Sequence, residues 1–171
     1  MAGKVLIFDT SMLCAWLSVP GKDTCGPIGD QWDKKRVDEK LQQEQKLNTT
    51  FVLPLAAIIE TGNHIAQAPT NRRYELAQEF AALMTKAANE ESPWAAFVDQ
   101  SKLWTAENLM QLAQEWIPLA AQKISLGDVA IKTVAEFYHK LGSPVEILTG
   151  DKGLKAYEPI APTPRKRRSS K

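Results

Sequence analysis

The chain is poor in the residues on which several common site chemistries depend. It has two cysteines and two histidines among 171 residues. Cys14 and Cys25 are not spaced as CxxC, which excludes a structural zinc site and predicts reduced thiols in a reducing compartment. No GxSxG sequence is present, and two histidines give little basis for a serine or cysteine hydrolase triad.

Long apolar runs and glycine-rich phosphate loops are also absent. No stretch approaches the ~20 apolar residues of a membrane span, and no charged leader precedes an apolar run with a cleavage site. We therefore expect a soluble, cytoplasmic protein without membrane contact. Neither GxxxxGK[ST] nor GxGxxG occurs, so nucleotide binding through those motifs has no support.

Acidic residues outnumber basic residues outside the C-terminal end. The formal net charge is +1, but five of the 21 basic residues lie in the last seven positions: Arg165, Lys166, Arg167, Arg168 and Lys171. The first 164 residues then hold 16 basic and 20 acidic groups, a net charge of −4. Prolines and this basic run predict a disordered tail over residues 159–171, which could bind nucleic acid, aid solubility or direct localisation.

Short apolar runs alternate with helical patterns along residues 1–158, which we assign to one domain. Strands are predicted at residues 4–8, 50–53 and 145–149, with a short edge strand at 94–98. Helices are predicted at residues 12–17, 31–47, 55–66, 71–89, 105 to about 118, and 126–141. This order predicts an α/β three-layer sandwich around a central, largely parallel sheet of four to five strands.

Asp9 directly follows the first predicted strand. This places it at the carboxyl edge of a parallel sheet, where open α/β proteins bind ligands. The alternative role is a helix cap, although Thr10 and Ser11 could also cap. A phosphotransferase of the haloacid dehalogenase type needs an acid where Ser11 stands, and a DxSxS metal site needs a serine where Leu13 stands, so neither is supported.

Glu60 lies among isoleucines in the helix predicted at residues 55–66. Glutamate is rarely buried without a partner, and Asn63 and His64 share its helical face at i+3 and i+4. The three side chains could form a polar strip facing a cleft, with His64 as a hydrogen-bonding neighbour rather than a ligand. The alternative is a glutamate on a solvent-facing stripe.

For Asp128 and Asp151, the local sequence also fits a purely structural role. Ser125 and Asp128 have the spacing of a capping box at a helix start. Asp151 follows the last predicted strand in a TGDKG sequence that any tight turn could use. However, two of the four acids follow strands and two lie in or at the start of helices, an arrangement that can converge on one sheet edge. Clustered carboxylates repel unless a cation or protons offset the repulsion, so the pattern predicts a metal site.

The order of these motifs resembles the PIN-domain nucleases, which are common as toxin ribonucleases of bacterial toxin–antitoxin pairs. The resemblance is carried by VLIFDTSML, LPLAAIIETGNHI, DVAIKTVAEFYHKLG and VEILTGDKGL, and it spans nearly all of residues 4–157. It implies an Mg²⁺- or Mn²⁺-dependent endoribonuclease acting on single-stranded RNA. The acids implied to be catalytic and to hold one or two ions are Asp9, Glu60, Asp128 and Asp151, with Thr10, Ser11, Asn63 and Thr149 as supporting polar neighbours.

The sequence leaves more than one partner and more than one substrate open. The resemblance implies an antitoxin protein or a homodimer, yet residues 20–48 and 70–118 make the chain larger than a compact toxin of this family. A catalytically weak PIN-like module that binds RNA or protein, and a DNA nuclease, stay open. Trp32, Trp94, Trp104 and Trp116 are expected in the core, with an interface as the alternative.

Overall fold

Three short strands form one parallel sheet in the computed structural model, which describes residues 3–161 of the chain. The strands are β1, Val5–Phe8; β2, Thr50–Val52; and β3, Val145–Leu148. Their order is β2-β1-β3, with Val5 of the central strand opposite both Thr50 and Val145. Because all three strands run the same way, their carboxyl ends lie at one edge.

Helices flank this sheet, which confirms the α/β class. They are α1, Thr10–Leu17; α2, Lys34–Lys46; α3, Leu55–Ala66; α4, Thr70–Ala88; α5, Ala106–Ala121; α6, Leu126–Lys140; and α7, Lys152–Lys155. A 3₁₀ helix spans Phe97–Leu103 between α4 and α5. Within residues 3–161, no helix is long and apolar enough to cross a membrane.

The core is centred on β1, in which every residue is buried. A central parallel strand is covered on both faces, which explains its continuous apolar sequence. Phe8 packs against Phe51 and Trp94, with ring centroids 5.6 and 5.4 Å away. Trp94 thus lies in the core as expected. Trp32 and Trp104 are half-buried and pack against the core.

The described residues contain three strands, and not the four to five that were predicted. Trp94 makes only an isolated parallel bridge to Phe51, and the chain then enters the 3₁₀ helix instead of the edge strand expected at 94–98. Gln100 of that helix donates from Nε2 to the Leu53 carbonyl (2.8 Å). Its Oε1 accepts a bond from the Leu55 amide (3.1 Å). A buried side chain therefore satisfies backbone groups just beyond β2 that a longer edge strand could have paired.

Helix α5 continues past Pro118, where the sequence predicted its end. Pro118 is exposed, and although a proline inside a helix removes one backbone hydrogen bond and costs about 3 kcal/mol, α5 continues to Ala121. Here the half-buried Trp116 donates from its indole nitrogen to the Ile124 carbonyl (3.1 Å), which fixes the end of the helix to the following turn.

Most of the predicted basic tail lies outside the described residues. Residues 159–161 have no regular secondary structure. Arg165, Lys166, Arg167 and Arg168 fall among residues 162–171, so their predicted role in nucleic-acid binding has no structural counterpart here.

Candidate active site

The four predicted acids line one cleft of about 350 Å³, which we call the carboxylate cleft. Asp9 follows β1, Asp151 follows β3 through a two-residue link, Glu60 lies in α3 and Asp128 lies in the first turn of α6. Parallel strands and the helices that follow them thus bring together residues far apart in sequence. The complete lining is Asp9, Thr10, Ser11, Cys14, Gly21, Lys22, Thr24, Cys25, Glu60, His64, Asp128 and Asp151.

Asp9 is the most firmly held of the four, at 5% exposed. Its Oδ1 accepts from the Thr10 amide (2.7 Å) as the N-cap of α1. Its Oδ2 accepts from Ser11 Oγ (2.6 Å) and from Thr149 Oγ1 (2.8 Å). The capping role and a place in the cleft therefore coexist, and the bond from Thr149 links the end of β3 to the end of β1.

Glu60 is half-buried and lies against Gly127 of α6. Its Oε2 accepts from Thr10 Oγ1 (2.8 Å). A Cβ atom built on Gly127 would lie 2.1 Å from Glu60 Oε1, a distance that real side chains do not tolerate. The missing side chain of Gly127 thus makes room for the carboxylate. Sequence reasoning overlooked this residue, although a glycine inside a helix usually has a packing or functional reason.

The charges of the other three acids act on Asp128. Burial raises its pKa, the charges of Asp9, Asp151 and Glu60 raise it further, and a side-chain hydrogen bond with Ser125 acts against the shift. Ser125 also caps α6, accepting from the Asp128 amide at 3.0 Å. The serine cap expected from the sequence is therefore present without removing Asp128 from the cleft.

Asp151 is exposed and caps the short helix α7. Its Oδ1 accepts from the amides of Gly153 (2.6 Å) and Leu154 (3.3 Å). Its own amide donates to Thr149 Oγ1 (2.9 Å), which in turn donates to Asp9. One threonine hydroxyl thus connects the loop carrying Asp151 to the buried Asp9.

His64, and not Asn63, accompanies Glu60 in the cleft. Asn63 is exposed and is not among the lining residues, whereas His64 lies one full helical turn from Glu60 and lines the cleft. Burial lowers the pKa of His64, and the charge of Lys22 lowers it further, against the opposite effect of Glu60. Burial and Lys22 thus both favour the neutral form of the imidazole.

The loop between α1 and α2 closes one side of the cleft, which the sequence did not predict. A Cβ on Gly150 would lie 2.8 Å from both Cys25 Sγ and the Gly26 nitrogen, so this loop packs directly on the end of β3. Burial raises the pKa of Cys14 to about 11 and also raises that of Cys25. Both thiols stay protonated, and thiolate chemistry is disfavoured.

The acids fit a divalent cation in chemistry but are spread apart in position. Carboxylate oxygens are the ligands that hard cations prefer. Among residues 3–161, however, no group of three or more His, Cys, Asp or Glu side chains is placed to hold a metal ion. Both oxygens of Asp9, and Oδ1 of Asp151, instead accept hydrogen bonds from hydroxyl and amide groups. Binding one ion through three of the acids would require side-chain rotation.

Comparisons with known proteins found no matching family model, no matching curated protein and no matching solved structure.

Proposed function

We propose that this protein is a divalent-metal-dependent endoribonuclease with a PIN-like fold, which hydrolyses phosphodiester bonds of single-stranded RNA in the carboxylate cleft. The observation that carries the proposal is the meeting of Asp9, Glu60, Asp128 and Asp151, from four separate elements, at the carboxyl edge of a parallel sheet. This is the place where open α/β proteins bind ligands. The motif order noted in the sequence supports the same assignment.

In this proposal the acids would hold Mg²⁺ or Mn²⁺, which would polarise the phosphodiester and promote formation of the attacking hydroxide. Asp9 is the fixed anchor, because three donors orient its carboxylate. Glu60 is oriented by Thr10 and by the open face of Gly127. Asp128 would gain most from a bound cation, because the cation would offset the charges of Asp9, Asp151 and Glu60 that raise its pKa.

The test is cleavage of an end-labelled single-stranded RNA with Mg²⁺ or Mn²⁺, compared with EDTA. We expect metal-dependent cleavage by the unchanged protein. Asp9→Asn and Asp128→Asn should each reduce it by at least about 100-fold, since loss of even an outer-shell partner of a metal ligand lowers activity by about 10- to 100-fold. Asp99→Asn is the matched control, because Asp99 lies outside the cleft in an exposed pair with Lys102. Cleavage retained by both cleft variants, with circular dichroism unchanged, would falsify the proposal.

A catalytically weak PIN-like module that binds RNA or a protein partner is the second candidate. It is favoured by the finding that no three of the acids are placed to share a metal ion within residues 3–161. Salt-dependent RNA binding without metal-stimulated turnover would identify this module. A parallel assay with single-stranded DNA separates the ribonuclease from a DNA nuclease.

A toxin role, an antitoxin or homodimeric partner and a cytoplasmic location belong to the same proposal. The toxin role and the partners follow from the motif resemblance, whereas the cytoplasmic location follows from the composition of the sequence. Co-expression with the product of a neighbouring gene would test the toxin role, because an antitoxin should suppress both RNA cleavage and any growth arrest caused by the chain.

A further inference from the structure

An ammonium group, that of Lys22, lies among the described residues that line the carboxylate cleft. Lys22 lies on the loop between α1 and α2 and lines the cleft with the four acids. Among the described residues that form the lining, no other lysine or arginine occurs. A polyanionic substrate approaching this cleft would meet four carboxylates and this single positive side chain.

The backbone of Lys22 is fixed relative to α1. Ser18 ends the helix in the left-handed conformation (φ 55°), and the amide of the buried Val19 donates to the Cys14 carbonyl (2.9 Å). The Lys22 amide then donates to the Val19 carbonyl (2.8 Å), and Gly21 supplies a φ of 77°. This tight turn holds the start of the lysine side chain beside the cleft, while the side chain is exposed to solvent.

The charge of Lys22 acts on the cleft, and within residues 3–161 no ion pair neutralises it. Lys22 lines the cleft together with His64 of α3 and Cys14 of α1, and its charge lowers the pKa of both groups. None of the ion pairs within residues 3–161 includes Lys22. A lysine whose role was to hold this loop in place would be expected to pair with one of the nearby acids.

We propose that Lys22 binds a phosphate of the RNA substrate at the carboxylate cleft. The inference rests on the proposed function and adds to it a residue that attracts the substrate backbone. A lysine suits this role because its ammonium is a compact charge with three donors on a flexible stem, which can follow a phosphate without a fixed geometry.

The first experiment tests the position of Lys22 without using activity. His64 and His139 are the two histidines of the chain, so both ring signals can be followed by NMR as pH changes. Lys22→Met should raise the pKa of His64 at low ionic strength, because it removes a neighbouring positive charge. Lys35→Met, at an 84% exposed position on α2, should leave His64 unchanged. An unaltered His64 titration in Lys22→Met would overturn the proposal.

The second experiment measures substrate contact in the same two variants and in Lys22→Arg. Binding of a labelled single-stranded RNA is followed by fluorescence anisotropy over a range of salt concentrations. Loss of one phosphate contact should reduce the slope of log affinity against log salt by about 0.7 in Lys22→Met. The KM for cleavage should rise several-fold with kcat little changed, as expected for an interaction equal in the ground and transition states. Lys22→Arg should restore most of the affinity.

These outcomes separate the two proposals. RNA binding that depends on Lys22, without any metal-dependent cleavage, supports the proposed role of Lys22 and overturns the proposed nuclease activity. If cleavage is metal-dependent but Lys22→Met and Lys35→Met have the same KM and salt slope, the proposed role of Lys22 is overturned. The nuclease proposal then stands.

Discussion

Gly127 shows at the scale of one residue how a missing side chain shapes the cleft. Gly127→Ala places a methyl group 2.1 Å from Glu60 Oε1, so the glutamate side chain must move. The fold should tolerate this, because alanine in a helix stabilises by roughly 0.5–1 kcal/mol relative to glycine and the displaced atoms end a flexible chain. We expect an almost unchanged melting temperature but a loss of RNA cleavage of about tenfold or more, since misplacement by ~1 Å can reduce rates by ~100-fold.

Gly62→Ala is the matched control for Gly127→Ala. Gly62 also lies in a helix, α3, but a Cβ there meets nothing within 4 Å. This variant should gain stability and keep full cleavage. Equal cleavage by the two alanine variants would show that the contact between Glu60 and Gly127 has no functional importance.

The acids of the cleft could be predicted from sequence because each carries a local signal. Asp9 and Asp151 follow apolar strands, and the topology of a parallel sheet brings such positions together. Lys22 and Gly127 could not be predicted in the same way. Lys22 lies in a loop whose place over the cleft depends on packing against Gly150, a contact between segments more than 100 residues apart. The importance of Gly127 depends on how closely α6 approaches Glu60 on α3.

At the scale of elements, Ser125 links the stability of α6 to the position of Asp128. Ser125→Ala should destabilise the protein by about 1 kcal/mol through the lost N-cap, as measured by urea unfolding. It should also raise the pKa of Asp128 further, because the lost hydrogen bond lowers that pKa. Thr105→Ala removes the equivalent cap of α5, whose hydroxyl accepts from the Asn108 amide at 3.2 Å. We expect a similar loss of stability in both variants but reduced cleavage only in Ser125→Ala.

Element boundaries were predictable where a local signal sets them. Pro54 precedes the helix, and α3 spans Leu55–Ala66 as predicted. Each of the three strands is within one residue of its predicted limits at each end. The errors occur where side-chain hydrogen bonds override local preference. Gln100 replaces an edge strand near Leu53, and the bond from Trp116 helps α5 to continue past a proline. Neither contact follows from the pattern of nearby residues.

At the scale of the whole molecule, a charged cluster fixes the polar helix α2 to the sheet. Glu44 of α2 has a side chain only 4% exposed, and Lys4 and Lys40 both donate to its Oε1. Thr49 donates to its Oε2. Both lysines also pair with Glu146 of β3, so α2, the residue that precedes the central strand and the edge strand β3 share one network. The sequence predicted α2 as a surface helix, and its pattern does not reveal this connection because lysines and glutamates usually lie in solvent.

This network should make the stability of the protein depend on acidic pH. Burial raises the pKa of Glu44, but hydrogen bonds from Lys4, Lys40 and Thr49 outweigh burial and lower it from 4.5 to about 2. Because the folded pKa is the lower one, the stabilisation is complete above pH 4.5 and is lost as pH falls towards 2. This shift corresponds to about 3 kcal/mol at neutral pH.

Glu44→Gln should therefore be about 3 kcal/mol less stable than the unchanged protein in urea unfolding at neutral pH, and the difference should shrink in acid. Glu39→Gln, on the same helix with a side chain 60% exposed, should show neither effect. A constant difference between Glu44→Gln and the unchanged protein at every pH would mean that packing, and not the charge of Glu44, holds α2 in place.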